Sequence, residues 1–379
     1  MRPRFIPGLE LSRRFYDEAV RPLLYAYLDA LPHSAARVGG GSEVLGFDTR
    51  RSADHEWGPR LQVFLRPEDA DVRAGEIVEM LADRLPKTFL GYPTNFVPAD
   101  NDHVGRMEPT DGPVSHRVDV TDLQCKDVPP DVCGIPGQPT WLTRQLGFDP
   151  TAGMTAFDWL ATPTQLLAEV TAGAVFHDGL AELVPLRALL AWYPTDIWRY
   201  VLASQWERIA QEEAFVGRCS EVGDELGSAI VAARLIRDTM RLCLLMRRRY
   251  PPYSKWLGSA FGRLPGTADL SRSLARAAWS TTWHEREHHL VRVYQAIARQ
   301  HNDLGLTDPL DPATGPYHDR PFQVLHAGRF AAALRAGIED PGIRNLPPIG
   351  AIDQYADNTD LLGDRARVRA TARAALAMR

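Results

Sequence analysis

A chain of 379 residues with 45% hydrophobic and 24% charged residues has the composition of a globular protein, with enough length for two domains. Its formal charge of −5 argues against broad affinity for nucleic acid, which rests on many Lys and Arg contacts to phosphate. Cys125, Cys133, Cys219 and Cys243 share no short paired spacing, which excludes a zinc ribbon and a secreted disulfide framework and fits a reducing cytoplasm. The N-terminal stretch lacks the apolar core of a signal peptide, and no window approaches the roughly eighteen apolar residues of a membrane-spanning helix.

In chain order, apolar residues recur at helical spacing from Leu9 to Leu31, with Pro22 ending one helix or opening the next. Arg37-Val38 then runs into Gly39-Gly40-Gly41-Ser42. Two acids one residue apart follow, Asp54 and Glu56, ahead of the strand-like run Leu61–Leu65. Residues 68–85 predict a helix, and 86–115, rich in Pro, Gly, Asp and Asn, predict an extended loop. Arg117-Val118-Asp119-Val120 alternates as a strand does, with Asp119 on one face and the valines on the other. The pattern changes around Asp149-Pro150. Helical periodicity dominates 155–300 (163–171, 180–191, 195–215, 223–250, 269–300), with 173–179 open to a short strand or hairpin. A turn-rich loop over 302–321, a helix over 322–339 and a charged helical tail complete the chain. The expected fold class is α/β plus α: a mixed-sheet catalytic domain over 1–150, then a mainly helical, substrate-binding domain over 151–379.

Alternate residues of an extended segment point to one side, so Asp54 and Glu56 can address one point in space. Two carboxylates there suit a hard divalent cation such as Mg2+. The amides of a glycine turn, where no Cβ blocks approach, suit a polyphosphate. Each feature alone has a plainer reading, a pair of surface acids and a flexible turn. Their spacing is what favours a site that moves a nucleotide.

Gly41-Ser42 followed by Asp54-His55-Glu56 resembles the signature of the nucleotidyltransferase fold shared by polymerase beta and kanamycin nucleotidyltransferase. The longer stretch GGGSEVLGFDTRRSADHEWG is similar to a bacterial family of unknown function, number 4037, placed in that superfamily. The resemblance continues in weaker form through YPPYSKWLGSAF near 250–261 and PPIGAIDQYAD near 347–357. It implies Mg2+-dependent transfer of a nucleoside monophosphate, AMP from ATP, with release of pyrophosphate; it names no acceptor, and the acidic net charge and the lack of a nucleic-acid module point to a small molecule. It implies that Asp54 and Glu56 hold the metal, and that a third carboxylate on a neighbouring strand acts as metal ligand or base. Asp119 is the first choice for that third acid; Asp48 and Asp122 are the alternatives. Gly40, Gly41 and Ser42 would take phosphate, joined by a cation of the helical domain, for which Lys255, one of three lysines, is the candidate. Glu at position 56 departs from the Asp that many members carry there.

Three other readings remain. A transferase acting on a protein or tRNA end would need a basic groove. A catalytically inactive module would bind nucleotide without turnover. His284-Glu285-Arg286-Glu287-His288 matches the zinc peptidase pattern H-E-x-x-H, in which both histidines share a helix face. Its two intervening residues are charged, however, and no third ligand follows, so a polar helix surface is the plainer account.

Overall fold

The computed structural model describes residues 3–28, 31–52, 57–98, 107–110, 118–123 and 140–378. Contacts divide the chain into two compact units: Met1–Met154 with Leu166–Ala191, and Thr155–Gln165 with Trp192–Arg379. Against the expected boundary at 150, the segment containing the strand Ala174–Asp178 groups with the first unit.

The first unit opens with helix α1 (Gly8–Phe15), a single π turn over Tyr16–Val20, and helix α2 (Arg21–Leu28). Pro22 follows directly after the π turn, at the second position of α2. Four strands form the sheet: β1 (Ser34–Arg37), β2 (Leu61–Leu65), β3 (Val118–Asp122) and β4 (Ala174–Asp178), in the order β3-β2-β1-β4. β1 runs antiparallel to β2 and β4, whereas β2 and β3 are parallel, with helix α3 (Pro67–Arg84) in the crossover between them.

Sequence alternation decides the two faces of this sheet. Leu61, Val63 and Leu65 of β2 and Val118 of β3 join Leu11, Phe15, Leu24, Ile77 and Leu81 in one core, so α1, α2 and α3 cover this face. Phe64 points the other way and meets the edge of Trp141, on helix α4 (Trp141–Leu146), at 5.6 Å between ring centroids. The register aligns Ala36, Gln62 and Asp119 in one row across three strands. The loop expected over 86–115 contains two short antiparallel pairs, Thr88–Phe89 with Tyr92–Pro93 and Phe96–Pro98 with Met107–Pro109. Helix α5 (Thr164–Thr171) leads into β4.

The second unit is mainly helical. Helix α6 (Thr195–Glu212) packs against α7 (Glu225–Met246) and α10 (Gly328–Ala336), and α7 also packs against α8 (Ser254–Gly262) and α9 (Trp283–Asn302). Trp206, fully buried on α6, stacks on Phe330 of α10 at 4.6 Å. Two helical expectations are corrected here. The run over 269–300 breaks at Ser280–Thr282 into Ala268–Trp279 and α9, because Thr282 caps α9 by accepting the Glu285 N–H. Over 322–339 the first residues belong to a strand, Arg320–Val324, whose buried Phe322 and Val324 alternate with less buried neighbours; α10 follows. Among the described residues no helix is long and apolar enough to cross a membrane.

Candidate functional site

At the end of β1 the chain enters Gly39–Ser42 and then a tight turn in which Val44 N–H donates to Gly41 O, Gly46 N–H to Glu43 O and Phe47 N–H to Ser42 O. The turn is tied back to the first unit where Gly39 N–H donates to Glu169 O and Gly173 N–H to Val44 O. Gly39 lies against Trp141 with φ +83, a left-handed conformation that glycine adopts without strain. The amides of Gly41 and Ser42 donate to nothing among the described residues.

Beneath this turn is an ion cluster that sequence spacing did not reveal. Glu43, 2% exposed, accepts from Arg37 (Nη2 2.7 Å, Nε 3.0 Å) and from Arg60 (Nη2 2.7 Å, Nε 2.9 Å), all on Oε1. Burial opposes ionisation of Glu43, but the two guanidiniums outweigh it and hold the carboxyl below its ordinary pKa. Arg37 also donates to Val38 O and Gly40 O, and Arg60 Nη2 donates to Gly40 O at 3.3 Å. The signal in the sequence was a charged residue at 37, 43 and 60 inside otherwise apolar, glycine-rich surroundings.

Asp119 stands beside Gln62 in the parallel register, and Gln62 Oε1 accepts from Val38 N–H at 3.1 Å. The end of β1, the start of β2 and the start of β3 therefore meet at one end of the sheet. Asp119 faces away from the core, as the alternation predicted, with Arg144 of α4 3.5 Å from its Oδ2. Surrounding protein raises its pKa, partly offset by Arg144. Its side chain is 48% exposed. Asp122, at the far end of β3, is also raised by burial.

Asp48 has a different task. It accepts from Gly8 N–H at 2.7 Å, at the start of α1, and from the Trp57 indole N–H at 3.1 Å. Asp54 and Glu56 lie outside the described residues, in the segment between Ser52 and Trp57. Among the described residues no group of three or more His, Cys, Asp or Glu is arranged to hold a metal ion.

In the second unit Lys255 is exposed in the first turn of α8, with Nζ 5.0 Å from the Trp256 ring centre. Thr164 links the two outlying stretches of resemblance. Asp353 forms a buried ion pair with Arg241 and accepts from Thr164 N–H at 2.8 Å and Thr164 Oγ1 at 3.2 Å; that hydroxyl also lies 2.6 Å from Pro251 O. Gln165 Oε1 accepts from Tyr253 N–H at 3.0 Å. Elsewhere in this unit His284 and His288 are exposed on α9, His284 against the Trp283 ring at 3.7 Å. The two residues between Glu285 and His288 are structural: Arg286 is buried and pairs with Glu225, and Glu287 accepts from Gln323 N–H at 2.7 Å.

Residues 159–257 match a family described as "Domain of unknown function (DUF4037)". The matched part takes in Thr164, Arg241 and the Tyr250–Lys255 stretch but not the glycine turn or Asp353. No curated protein and no solved structure matches the chain.

Proposed function

We propose that this protein is a Mg2+-dependent nucleotidyltransferase that moves a nucleoside monophosphate, AMP from ATP, to a small-molecule acceptor and releases pyrophosphate. The observation that carries this reading is the row Ala36–Gln62–Asp119: it brings the glycine turn, the strand entered just after Asp54 and Glu56, and a third carboxylate to one end of one sheet. The open amides of Gly41 and Ser42 supply donors for phosphate oxygens. Asp48 is engaged in holding α1 and Trp57, which leaves Asp119 as the better third acid.

The donor chemistry fits a hard cation. Asp119 offers a half-exposed carboxylate, and Asp54 and Glu56 are carboxylates of the same hard-oxygen type. A bound Mg2+ would neutralise charge on the phosphates and on the attacking and leaving oxygens. The chain's own residues do the rest. Gly41 and Ser42 orient the triphosphate, and Asp119 takes the proton from the acceptor hydroxyl as its oxygen bonds to the α-phosphorus. The bond from the α-phosphorus to the bridging oxygen breaks, and pyrophosphate leaves.

Thermal-shift screening against nucleoside triphosphates with Mg2+ identifies the nucleotide, and pyrophosphate release then follows turnover. Asp54→Asn keeps side-chain shape but removes the charge that offsets the metal. It should lower turnover by about a hundred-fold or more while the protein stays folded. Unchanged turnover beside an active parent would remove the proposal.

A further inference from the structure

We propose that Glu43 is the positioning residue of the phosphate turn. With Arg37 and Arg60 it sets the Gly40–Gly41 peptide so that the turn faces a polyphosphate, and this divides the two glycines between two jobs. The inference rests on the phosphate role proposed for the turn and goes beyond it by naming what sets its geometry.

The Gly40 carbonyl is held on the inner side by N–H donors of both arginines. In a trans peptide the N–H points opposite to the C=O, so the Gly41 amide is directed away from the ion cluster. Gly41 O is likewise taken by Val44 N–H inside the turn, which sends the Ser42 amide outward. Two consecutive outward amides make an anion-binding concavity. Glu43 is the member through which the arginines act: all four of their N–H contacts to it converge on its Oε1, fixing both guanidiniums where they reach Gly40 O.

The glycines then separate. A Cβ at Gly41, whose φ is +141, would lie 2.6 Å from Arg37 Nη2, Arg60 Nη2 and Glu43 Oε2. Gly41 is therefore required by the cluster, whatever the ligand does. A Cβ at Gly40 would meet nothing within 4 Å, and the backbone there needs no positive φ. Nothing among the described residues requires glycine at 40, and the open space beside it is where a phosphate would lie.

The probe is inorganic tripolyphosphate in the presence of EDTA, titrated calorimetrically against the full chain. No metal or nucleoside contributes, so the turn is read alone. Wild type should bind. Gly40→Ala should weaken binding about ten-fold or more with the melting temperature unchanged, and Glu43→Gln should weaken it about as much at a temperature where circular dichroism shows it folded. Gly75→Ala, in α3 where a Cβ also meets nothing, is the control that leaves binding intact. Should Glu43→Gln fail to fold, Arg60→Gln takes its place, since it removes one of the two clamps on Gly40 O and keeps Arg37 on Glu43. Wild-type binding with unaltered affinity in Gly40→Ala and in the folded cluster variant overturns the inference and leaves the phosphate role standing. No tripolyphosphate binding by wild type overturns both.

Discussion

In the first unit Arg37 and Arg60 close on Glu43 beneath a backbone whose Gly41 and Ser42 amides donate to nothing among the described residues. In the second, Arg241 closes on Asp353, Thr164 N–H donates to Asp353, and Pro251 O is met by the Thr164 hydroxyl. Both clusters are buried guanidinium–carboxylate pairs, and both sit beside a stretch that the sequence marks out. They differ in what they leave unsatisfied. A cluster that draws backbone groups inward locks a junction; one that turns backbone donors outward prepares a surface for an anion. Burial and ion pairing alone do not separate these roles, and following each N–H to its acceptor does.

The sharpest way to break the comparison is Asp353→Ala. Arg241 and Asp353 are only 10% and 8% exposed, so removal of the acid strands a buried positive charge and leaves the Thr164 N–H without its acceptor. The expected loss is about 3–5 kcal/mol, read as a lower urea midpoint. A loss near zero would show that this cluster is no lock and that the contrast with Glu43 is misplaced.

Each unit carries a buried histidine on which acid should act. Burial lowers His301 from 6.5 to about 4; the imidazole accepts from the Trp206 indole N–H at 3.1 Å and donates from Nε2 to Thr307 Oγ1 at 3.1 Å. His33 of the first unit is also lowered by burial; its Nδ1 lies 3.1 Å from Leu31 O, and its Nε2 takes the Tyr16 hydroxyl at 2.9 Å. A histidine whose folded pKa lies below its unfolded value binds fewer protons folded than unfolded. The stability it contributes is complete above about 6.5 and is lost as pH falls toward the folded pKa. For His301 the change between pH 7 and pH 4 is on the order of 3 kcal/mol. Denaturant melts across that range should show His301→Gln flattening the pH dependence, and an unaltered slope would assign it elsewhere.

A smaller effect is expected at Asp48. Its replacement by Ala removes the acceptor for Gly8 N–H and the Trp57 indole, at a cost of about 1–2 kcal/mol measured by urea unfolding. The same change frees Trp57, the residue that follows Glu56, so it should also weaken metal-dependent turnover if Asp48 supports the site from outside. Full activity in the variant would confine Asp48 to holding α1.

What could be read from the sequence was local. The glycine turn, β2 and the alternation that turns Asp119 from the core follow from short-range pattern, because the pleat sends neighbouring side chains to opposite faces. The Ser280–Thr282 break was present as a capping signal, Thr282 three residues before Glu285, and was hidden by continuous helical periodicity on both sides. The strand Arg320–Val324 was hidden because Phe322 and Val324 satisfy a helical window together with the apolar residues of α10. The pairing of Glu43 with Arg60 and that of Asp353 with Thr164 and Arg241 span long separations, and a residue's partner in space is not encoded in its neighbours. Asp48 shows the same limit, for its carboxylate was available to a metal on paper and is taken by Gly8 and Trp57 in the fold.

The smallest expected effect belongs to the histidines of α9. His284 and His288 share a helix face as the H-E-x-x-H spacing requires, yet both are exposed, and Glu285 accepts from Thr281 N–H at 3.3 Å at the start of its own helix. Arg286 and Glu287 anchor that helix through Glu225 and Gln323, so the charged pair has a structural explanation that a zinc helix does not need. Replacing both histidines with Ala removes only surface groups and the ring contact of His284 with Trp283, for a change within about 0.5 kcal/mol. Nucleotide and tripolyphosphate affinity should be unchanged, since neither residue belongs to the sheet end that carries the glycine turn. Stoichiometric zinc in the purified wild type, lost in the double variant together with several kcal/mol of stability, would instead make α9 a metal site.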